Sequence, residues 1–279
     1  MKKIFFGLIG LICLVGCDKI EPENYTIYAG APLVWEQGTS FDAVQRAYVE
    51  KYTGPKCSNC PLADATLDAA HHQFGDKLAV ISINHPAGQG IPFPNQPDLR
   101  TDDGTTWDNY FGINAIPAAY LNRDKAKQYS GSMDNITADI STAIGASPVV
   151  GIEVTAEDSE GNGKLEITAS IVFAQNYSQP LTLTLALTED SLAYKQILPD
   201  NSIEDEYVHN HMLRDVITDV WGADIDCTGA AGEARKTTVT YTVSDPTIKL
   251  ENCNIVAFVS DKSSRRVLNC AQTRIIMPE

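Results

Sequence analysis

The pattern of hydrophobic residues changes once along this chain of 279 residues, at Gly145-Ala146-Ser147-Pro148. Before this point, segments with helical spacing alternate with short apolar runs such as residues 78–83, which predicts an α/β fold. After it, β-branched residues alternate with polar ones between spacers rich in Gly, Asn, Asp and Ser, which predicts an antiparallel, Ig-like β-sandwich. The apolar residues of segment 204–222 recur at helical spacing, so we expect one helix inserted in the sandwich.

Residues 1–17 have the features of a bacterial export signal that ends in a lipid-attachment site. Two lysines precede a run of about a dozen apolar residues, and Leu14-Val15-Gly16-Cys17 has the form of a lipobox. The alternative is an ordinary signal peptide that happens to end in Cys. No other stretch is long and apolar enough to span a membrane. The expected parts are a signal peptide over 1–16, a tether lipidated at Cys17 over 17–40, a domain over 41–146 and a β-domain over 147–279.

The net charge of the chain argues against a nucleic-acid partner. The sequence has 36 acidic and 21 basic side chains and a formal charge of −15. Removal of the two lysines of the signal makes the charge of the mature chain −17. Binding to nucleic acid draws most of its affinity from Lys and Arg, and so does attachment to anionic lipid through a basic patch. We therefore expect neither kind of binding.

The strongest chemical signal is Cys57-Ser58-Asn59-Cys60, which follows an apolar segment and begins a predicted helix. Two intervening residues allow the sulfurs to form a disulfide across one helical turn. Free amides and the dipole at a helix N-terminus favour an anion, and Lys56 adds positive charge. We therefore expect Cys57 to be the attacking thiolate and Cys60 the resolving thiol. The alternatives are half of a zinc site, completed by histidines elsewhere, and a merely structural disulfide.

A strand, a CxxC at a helix start, a buried strand and then Phe111-Gly112-Ile113-Asn114-Ala115-Ile116-Pro117-Ala118 together resemble a thioredoxin-like domain. The resemblance implies a cis peptide bond between Ile116 and Pro117 that faces the redox pair, since X–Pro is the bond that adopts cis at low cost. It also implies that the backbone at Ile116 and Pro117 binds the extended chain of a substrate. A trans proline that opens an edge strand is the alternative.

Further motifs extend this likeness over nearly the whole mature chain. They are Tyr52-Thr53-Gly54, Cys60-Pro61, Asp98-Leu99-Arg100-Thr101, Leu121-Asn122-Arg123 and Tyr207-Val208-His209-Asn210-His211-Met212-Leu213-Arg214. With them the chain resembles the thioredoxin-like outer-membrane lipoprotein family named for its 28-kDa member. This resemblance implies a lipid-anchored outer-membrane protein, on either the periplasmic or the surface face. The chain departs from the thioredoxin pattern where a buried acid precedes the first Cys, because Lys51 stands there. Either Glu50, one position away, serves through a shifted register, or the proton-shuttling acid is missing.

Three weaker signals remain. His209 and His211 can share a metal ion only on a strand, and the helical spacing that follows them argues against it. The proline-rich loop 85–104 is either a lid or partner-binding element, or an irregular surface excursion. Cys253 and Cys270 are expected on one face of a hairpin as diagonal neighbours, and no disulfide among the three C-terminal cysteines can be assigned.

These observations favour a thiol–disulfide oxidoreductase that acts on exported proteins with thiols or disulfides. Cys57 would attack, Cys60 would resolve the mixed disulfide, and Ile116 and Pro117 would hold the substrate backbone. This chemistry requires no dissociable cofactor and no metal. The alternative is a non-catalytic surface lipoprotein that binds partners through the β-domain and loop 85–104. The direction of the redox chemistry and the oligomeric state are not predicted.

Overall fold

The computed structural model describes residues 32–278. The predicted signal peptide, Cys17 and most of the predicted tether lie outside these residues. The described part is mostly β-sheet with three α-helices, α1 Cys60–Phe74, α2 Asp102–Phe111 and α3 Ile136–Ile144. Its strands are β1 Glu36–Gln37, β2 Ala47–Thr53, β3 Leu78–Asn84, β4 Ala118–Leu121, β5 Gln128–Ser130, β6 Val150–Glu157, β7 Lys164–Phe173, β8 Leu181–Glu189, β9 Leu192–Ile197, β10 Ile203–His209, β11 Met212–Val216, β12 Ala223–Asp224, β13 Ala234–Thr242, β14 Cys253–Asp261 and β15 Val267–Arg274.

The strands form three sheets. The largest, which we call the mixed sheet, has the order β15-β14-β8-β11-β3-β2-β4-β5, with β12 added beside β8. A four-stranded antiparallel sheet has the order β1-β13-β7-β6. Strands β9 and β10 form a hairpin that, among the described strands, pairs with no other. We call this two-stranded sheet the hairpin.

The mixed sheet contains strands from both sides of the composition change at residue 147. Strand β11 pairs in parallel with β3 through Met212 and Ser82, and it pairs antiparallel with β8. On the other side of β3, β2 runs parallel to it over seven residue pairs. All residues of β2 and β3 are buried, as expected of parallel strands covered on both faces.

Each face of the mixed sheet buries its own hydrophobic core. One face packs against the antiparallel sheet through residues such as Ile152, Ile167 and Leu185, and farther along it packs against α1 and α3. The opposite face is covered by α2, whose Trp107 is fully buried. Helix α1 buries Leu67 and Ala70, which recur at helical spacing. The cysteine pair therefore lies at the start of a helix that is fixed against the middle of the sheet.

The helix expected within residues 204–222 is wrong, because this segment forms β10 and β11 instead. Strand β11 is irregular, and its pairing with β8 shifts register between Leu213 and Asp215. Such a bulge inserts one residue and moves the next apolar side chain from i+2 to i+3. Leu213 and Val216 thus acquire helical spacing while both stay buried in a strand.

The expected placement of Cys253 and Cys270 on one face of a hairpin is also wrong. Cys270 lies opposite Phe258 in the β14–β15 pair, well along the strand from Cys253. Cys253 packs in the core beneath the antiparallel sheet, whereas Cys270 packs in the core beneath α2. Within residues 32–278, Cys227, Cys253 and Cys270 are all outside disulfides. Burial raises the pKa of both Cys253 and Cys270 to about 12, so neither thiol is a ready nucleophile.

Candidate functional site

The cysteine pair is placed by the turn that joins β2 to α1. The amide of Cys57 donates to the Gly54 carbonyl at 3.0 Å, and the amide of Cys60 donates to the Cys57 carbonyl at 3.2 Å. Cys57 and Cys60 form a disulfide with their Cα atoms 5.4 Å apart. No side chain caps the N-terminus of α1, and its first amides bond to backbone carbonyls, Cys60 to Cys57 and Leu62 to Asn59. The pair therefore lies at the positive end of the helix dipole.

The disulfide is covered, which the sequence did not predict. Cys57 is 1 % exposed and Cys60 is fully buried. One part of the cover is the loop that follows β3, where the Gln89 carbonyl accepts a hydrogen bond from the Lys56 amide at 3.0 Å. This loop comes so close that a Cβ atom at Gly54 would lie 2.5 Å from the Gln89 carbonyl oxygen. Only glycine fits there.

The hairpin is the other part of the cover. The Ile197 amide donates to the Pro55 carbonyl at 2.9 Å. The side-chain amide of Gln196, itself 1 % exposed, donates to the Cys57 carbonyl at 2.9 Å. The residues of this hairpin lie more than a hundred positions from the cysteines in sequence, so only the folded structure brings them together.

An ion pair between buried Lys51 and partly buried Asp64 lies one helical turn beyond Cys60. Lys51 Nζ donates to Asp64 Oδ1, and Tyr207 Oη of the hairpin donates to Asp64 Oδ2 at 2.9 Å. Asp64 follows Cys60 by four residues on α1, so the two side chains lie on the same face of the helix, one turn apart. An acidic residue four positions after the second cysteine of a predicted helix is the signal in the sequence that could have identified Asp64.

Glu50 lies on the opposite face of β2 and does not serve the cysteine pair through a shifted register. Successive strand residues point to opposite faces, so Glu50 shares its side with Tyr48 and Tyr52, away from α1. Its carboxylate accepts from Arg123 Nε at 2.6 Å, from Tyr48 Oη at 2.8 Å and from Tyr52 Oη. Burial, reinforced by the nearby Glu50 carboxylate, raises the pKa of both tyrosines. This group is a buried polar network inside the core.

The Ile116–Pro117 peptide bond is cis, as the resemblance implies. It immediately precedes β4, whose Ala118 pairs with Tyr52 of β2. Pro117 therefore lies at the end of the sheet from which the chain turns toward Cys57. The carbonyl of Pro117 accepts from the Gly131 amide at 2.8 Å. The substrate-binding role of Ile116 and Pro117 remains a prediction.

The histidines of segment 207–214 lie at the base of the hairpin. His209 is the last residue of β10, and His211 has a positive φ of 60° just before β11. Burial lowers the pKa of each to about 4. The rings of His211 and His71 are 5.2 Å apart. Within residues 32–278, no group of three or more His, Cys, Asp or Glu side chains is arranged to hold a metal ion.

The predicted loop 85–104 is tied to the fold at several points. His85 Nδ1 lies 2.7 Å from Asp108 Oδ2, and burial raises the pKa of Asp108. Arg100 donates to the Pro86 carbonyl at 2.7 Å. Thr101 caps α2 by accepting from the Gly104 amide at 2.9 Å.

Among the described residues, no helix is long and apolar enough to cross a membrane.

Solved structures share this fold at low sequence identity. HBP35 of Porphyromonas gingivalis is 18 % identical, with a TM-score of 0.65 over 86 % of this chain and 78 % of that one. A structural-genomics target from Agrobacterium tumefaciens is 17 % identical, with a TM-score of 0.50 over 84 % of this chain and 95 % of that one. A domain of the outer membrane lipoprotein Omp28 from P. gingivalis is 20 % identical over 48 % of this chain and 93 % of that domain, but its TM-score of 0.34 is too low to compare the folds.

Sequence comparison identifies the family. No curated protein sequence matches this chain. The sequence profile of the family described as outer membrane protein Omp28 matches residues 104–277, which is more than half of the chain. The match begins after Cys57 and Cys60, so the profile carries no information about the disulfide. The chain therefore belongs to the outer membrane protein Omp28 family, which agrees with the lipid-anchored outer-membrane location predicted from its sequence.

Proposed function

We propose that this Omp28-family protein is a thiol–disulfide oxidoreductase for exported proteins at the outer membrane. The observation that carries the proposal is the disulfide between Cys57 and Cys60 at the uncapped start of α1. There the positive end of the helix dipole stabilises a thiolate on the first sulfur when the pair is reduced. The lipid predicted on Cys17, palmitate among its acyl chains, would hold this site at the membrane after signal-peptide cleavage.

We further infer that residues 41–146 form a thioredoxin-like unit. Three observations support this. Strands β2 and β3 are parallel, α1 connects them directly after the CxxC, and a cis proline precedes β4 beside β2. The structural similarity to HBP35 supports a shared fold and says nothing about activity.

The proposed reaction exchanges one disulfide for another. A thiolate of the partner attacks Cys57 Sγ and forms a mixed disulfide, and the Cys57–Cys60 bond breaks with its electron pair going to Cys60, which then takes a proton. The second thiolate of the partner attacks the mixed disulfide and releases Cys57. The partner leaves with a disulfide, and the chain keeps two thiols and two electrons. In reverse, Cys57 attacks a partner disulfide and Cys60 resolves the intermediate.

The test uses the full-length lipoprotein in detergent and in cells. Equilibration with glutathione buffers should give a measurable Cys57–Cys60 couple. In the cell envelope, Cys60→Ser should accumulate mixed disulfides through Cys57, whereas Cys57→Ser should accumulate few. Cys227→Ser, which changes a cysteine outside the pair, is the matched control. It should give the same redox couple and the same level of mixed disulfides as the wild type. Failure of both pair variants to capture any envelope protein contradicts an enzymatic role.

A second candidate function is non-catalytic binding by a surface lipoprotein. Its supporting observation is the burial of both cysteines, which is typical of a structural disulfide. In that case the double variant Cys57→Ser/Cys60→Ser should bind envelope partners as wild type does. Loss of partner capture in the double variant, with the protein still folded, favours the oxidoreductase.

A further inference from the structure

The hairpin is held to the rest of the molecule differently from every other described strand. Among residues 32–278, β9 and β10 pair with each other and join neither larger sheet. Much of β10 faces solvent, and Ile203 is 52 % exposed. The attachment of the hairpin near the disulfide therefore depends on a few hydrogen bonds and side-chain contacts.

Those hydrogen bonds are made to the chain that carries the disulfide. An extended strand supplies a backbone N–H at Ile197 to the Pro55 carbonyl, and the Gln196 amide supplies the donor for the Cys57 carbonyl. Proteins bind extended peptides through main-chain hydrogen bonds of this kind, with acceptors aligned beside the added strand. Strand β9 thus occupies a position suited to an extended segment of another polypeptide.

The burial of the disulfide conflicts with the thiol–disulfide exchange proposed for it. A thiolate must approach Cys57 Sγ to bonding distance, yet Cys57 is 1 % exposed. The loop after β3 is fixed by close backbone contact between Gly54 and Gln89, with no room for even a Cβ atom. The hairpin joins neither larger sheet and is held here by the hydrogen bonds of Ile197, Gln196 and Tyr207, so we infer that it is the part of the cover that is displaced.

We propose that β9 occupies the docking site of the partner, and that an extended, cysteine-containing segment of an exported polypeptide displaces the hairpin to reach Cys57. The segment would donate a backbone N–H to the Pro55 carbonyl in place of Ile197. This inference rests on the oxidoreductase function proposed above. The sulfur chemistry is the exchange already described, with the partner dithiol as the reductant.

The structure also indicates what the partner segment should contain. Tyr194 of β9 borders a cavity of about 20 Å³ between the hairpin and the loop after β3. The other apolar lining residues are Pro55, Pro92, Phe93, Pro97 and Leu99. An incoming segment that replaces β9 should therefore place an aromatic or aliphatic side chain near its cysteine, because this apolar surface would otherwise face water.

The test measures how fast the Cys57–Cys60 disulfide is reduced in the full-length protein in detergent. The probes are dithiothreitol, a short β-forming peptide with two reduced cysteines, and the same peptide N-methylated beside its first cysteine. Gln196→Leu removes the side-chain hydrogen bonds of the hairpin to the Gly54 and Cys57 carbonyls, and Tyr207→Phe removes the one to Asp64. Each variant should speed reduction by either dithiol at least about fivefold. Val208→Thr, on the exposed side of β10, is the control and should leave the rate unchanged. N-methylation should slow the peptide at least fivefold.

The outcomes separate this inference from the proposed function. If wild type and both hairpin variants are reduced at one rate, the hairpin does not occlude the disulfide, although redox activity stands. Equal rates for the peptide and its N-methylated copy overturn docking through the main chain. If no variant is reduced at glutathione potentials, the proposed function itself is wrong. Circular dichroism of each variant shows whether the fold is retained.

Discussion

At the residue scale, the most informative contact is the ion pair of Lys51 with Asp64. In the thioredoxin pattern a buried acid stands where this chain has Lys51, and the structure supplies a carboxylate from α1 instead. The pair lies one helical turn beyond Cys60, so its charges act on the sulfurs of the reduced form through a poorly solvated region. A positive charge there stabilises a thiolate, and a negative charge destabilises it.

Substitutions of this pair should therefore move the redox potential in opposite directions. Lys51→Met removes the cation and should make the Cys57–Cys60 potential more negative, by about 30 mV for a tenfold change in the equilibrium constant. Asp64→Asn should make it less negative. Equilibration of the full-length protein with glutathione buffers measures both values.

Two further variants control that measurement. Lys77→Met removes an exposed lysine beyond the far end of α1 and should leave the potential unchanged. The double variant Lys51→Met/Asp64→Asn removes both charges, so its redox potential should lie close to that of the wild type. Shifts of the same sign in the two single variants would show that loss of structure, and not charge, is being measured.

Some residues of the site could be predicted from the sequence, and others could not. The spacing of Cys57 and Cys60 identifies the disulfide, and the Ile116-Pro117 motif identifies a bond that is cis. The choice between Lys51 and Glu50 could not be made without the strand boundaries, because a shift of one residue exchanges the two faces of β2. Asp64 was overlooked because it matches no motif.

At the element scale, the hairpin covers the candidate site, and the proposed opening of the site is its displacement. His209 lies at the base of the hairpin. There it faces Asp64 and Lys51 of the ion pair and the backbone of Tyr194. Burial, aided by Lys51 and opposed by Asp64, holds the pKa of His209 at about 4, below its ordinary value of 6.5. The folded hairpin therefore favours neutral His209.

This depressed pKa predicts how stability changes with pH. Between pH 6.5 and 4 the unfolded chain binds a proton at His209 that the folded chain does not, so the stabilisation is complete above pH 6.5 and is lost as the pH falls toward 4. Allowing for partial exposure, we expect a loss of about 1–2 kcal/mol. Urea unfolding at pH 7 and pH 4.5 measures it.

His209→Gln should reduce this dependence on pH, because glutamine does not titrate. His72→Gln, which changes an exposed histidine of α1, is the matched control and should unfold as wild type at both pH values. An unchanged pH dependence in His209→Gln means that the acid sensitivity originates elsewhere, for example at His211.

Elements with regular patterns were predictable, and the hairpin was not. Helices α1 and α3 and strand β3 follow their hydrophobic periodicity closely. Strand β11 does not, because its bulge produces the spacing of a helix. Packing of the hairpin on the disulfide is a contact between distant parts of the chain, and local patterns carry no information about such contacts.

At the scale of the whole molecule, we predict that attachment to the membrane depends on lipid at the N-terminus. No helix within residues 32–278 is long and apolar enough to span a bilayer, and the sequence would carry a charge of −17 after cleavage of the predicted signal peptide with its two lysines. Its acidic surface is not attracted to anionic lipid. The predicted acyl chains at Cys17 then supply the anchor.

Cys17→Ser should therefore release the protein from the membrane fraction and abolish incorporation of labelled palmitate. Cell fractionation and metabolic labelling measure the two effects. Cys227→Ser is the matched control and should retain both the label and the membrane association. Membrane association that persists in Cys17→Ser, with the label lost, would mean that a protein partner holds the chain at the membrane.

The pairing of β11 with β3 affects how the chain folds after export. Met212 and Ser82 lie 130 residues apart, and a chain exported by the predicted signal peptide would enter the envelope with its N-terminus first. Until β11 arrives, the edge of β3 has no strand beside it and can pair with other unfinished chains. Contacts of such long sequence separation form slowly. The yield of folded protein should thus depend on how quickly translocation delivers the second half of the chain, because aggregation competes during that interval.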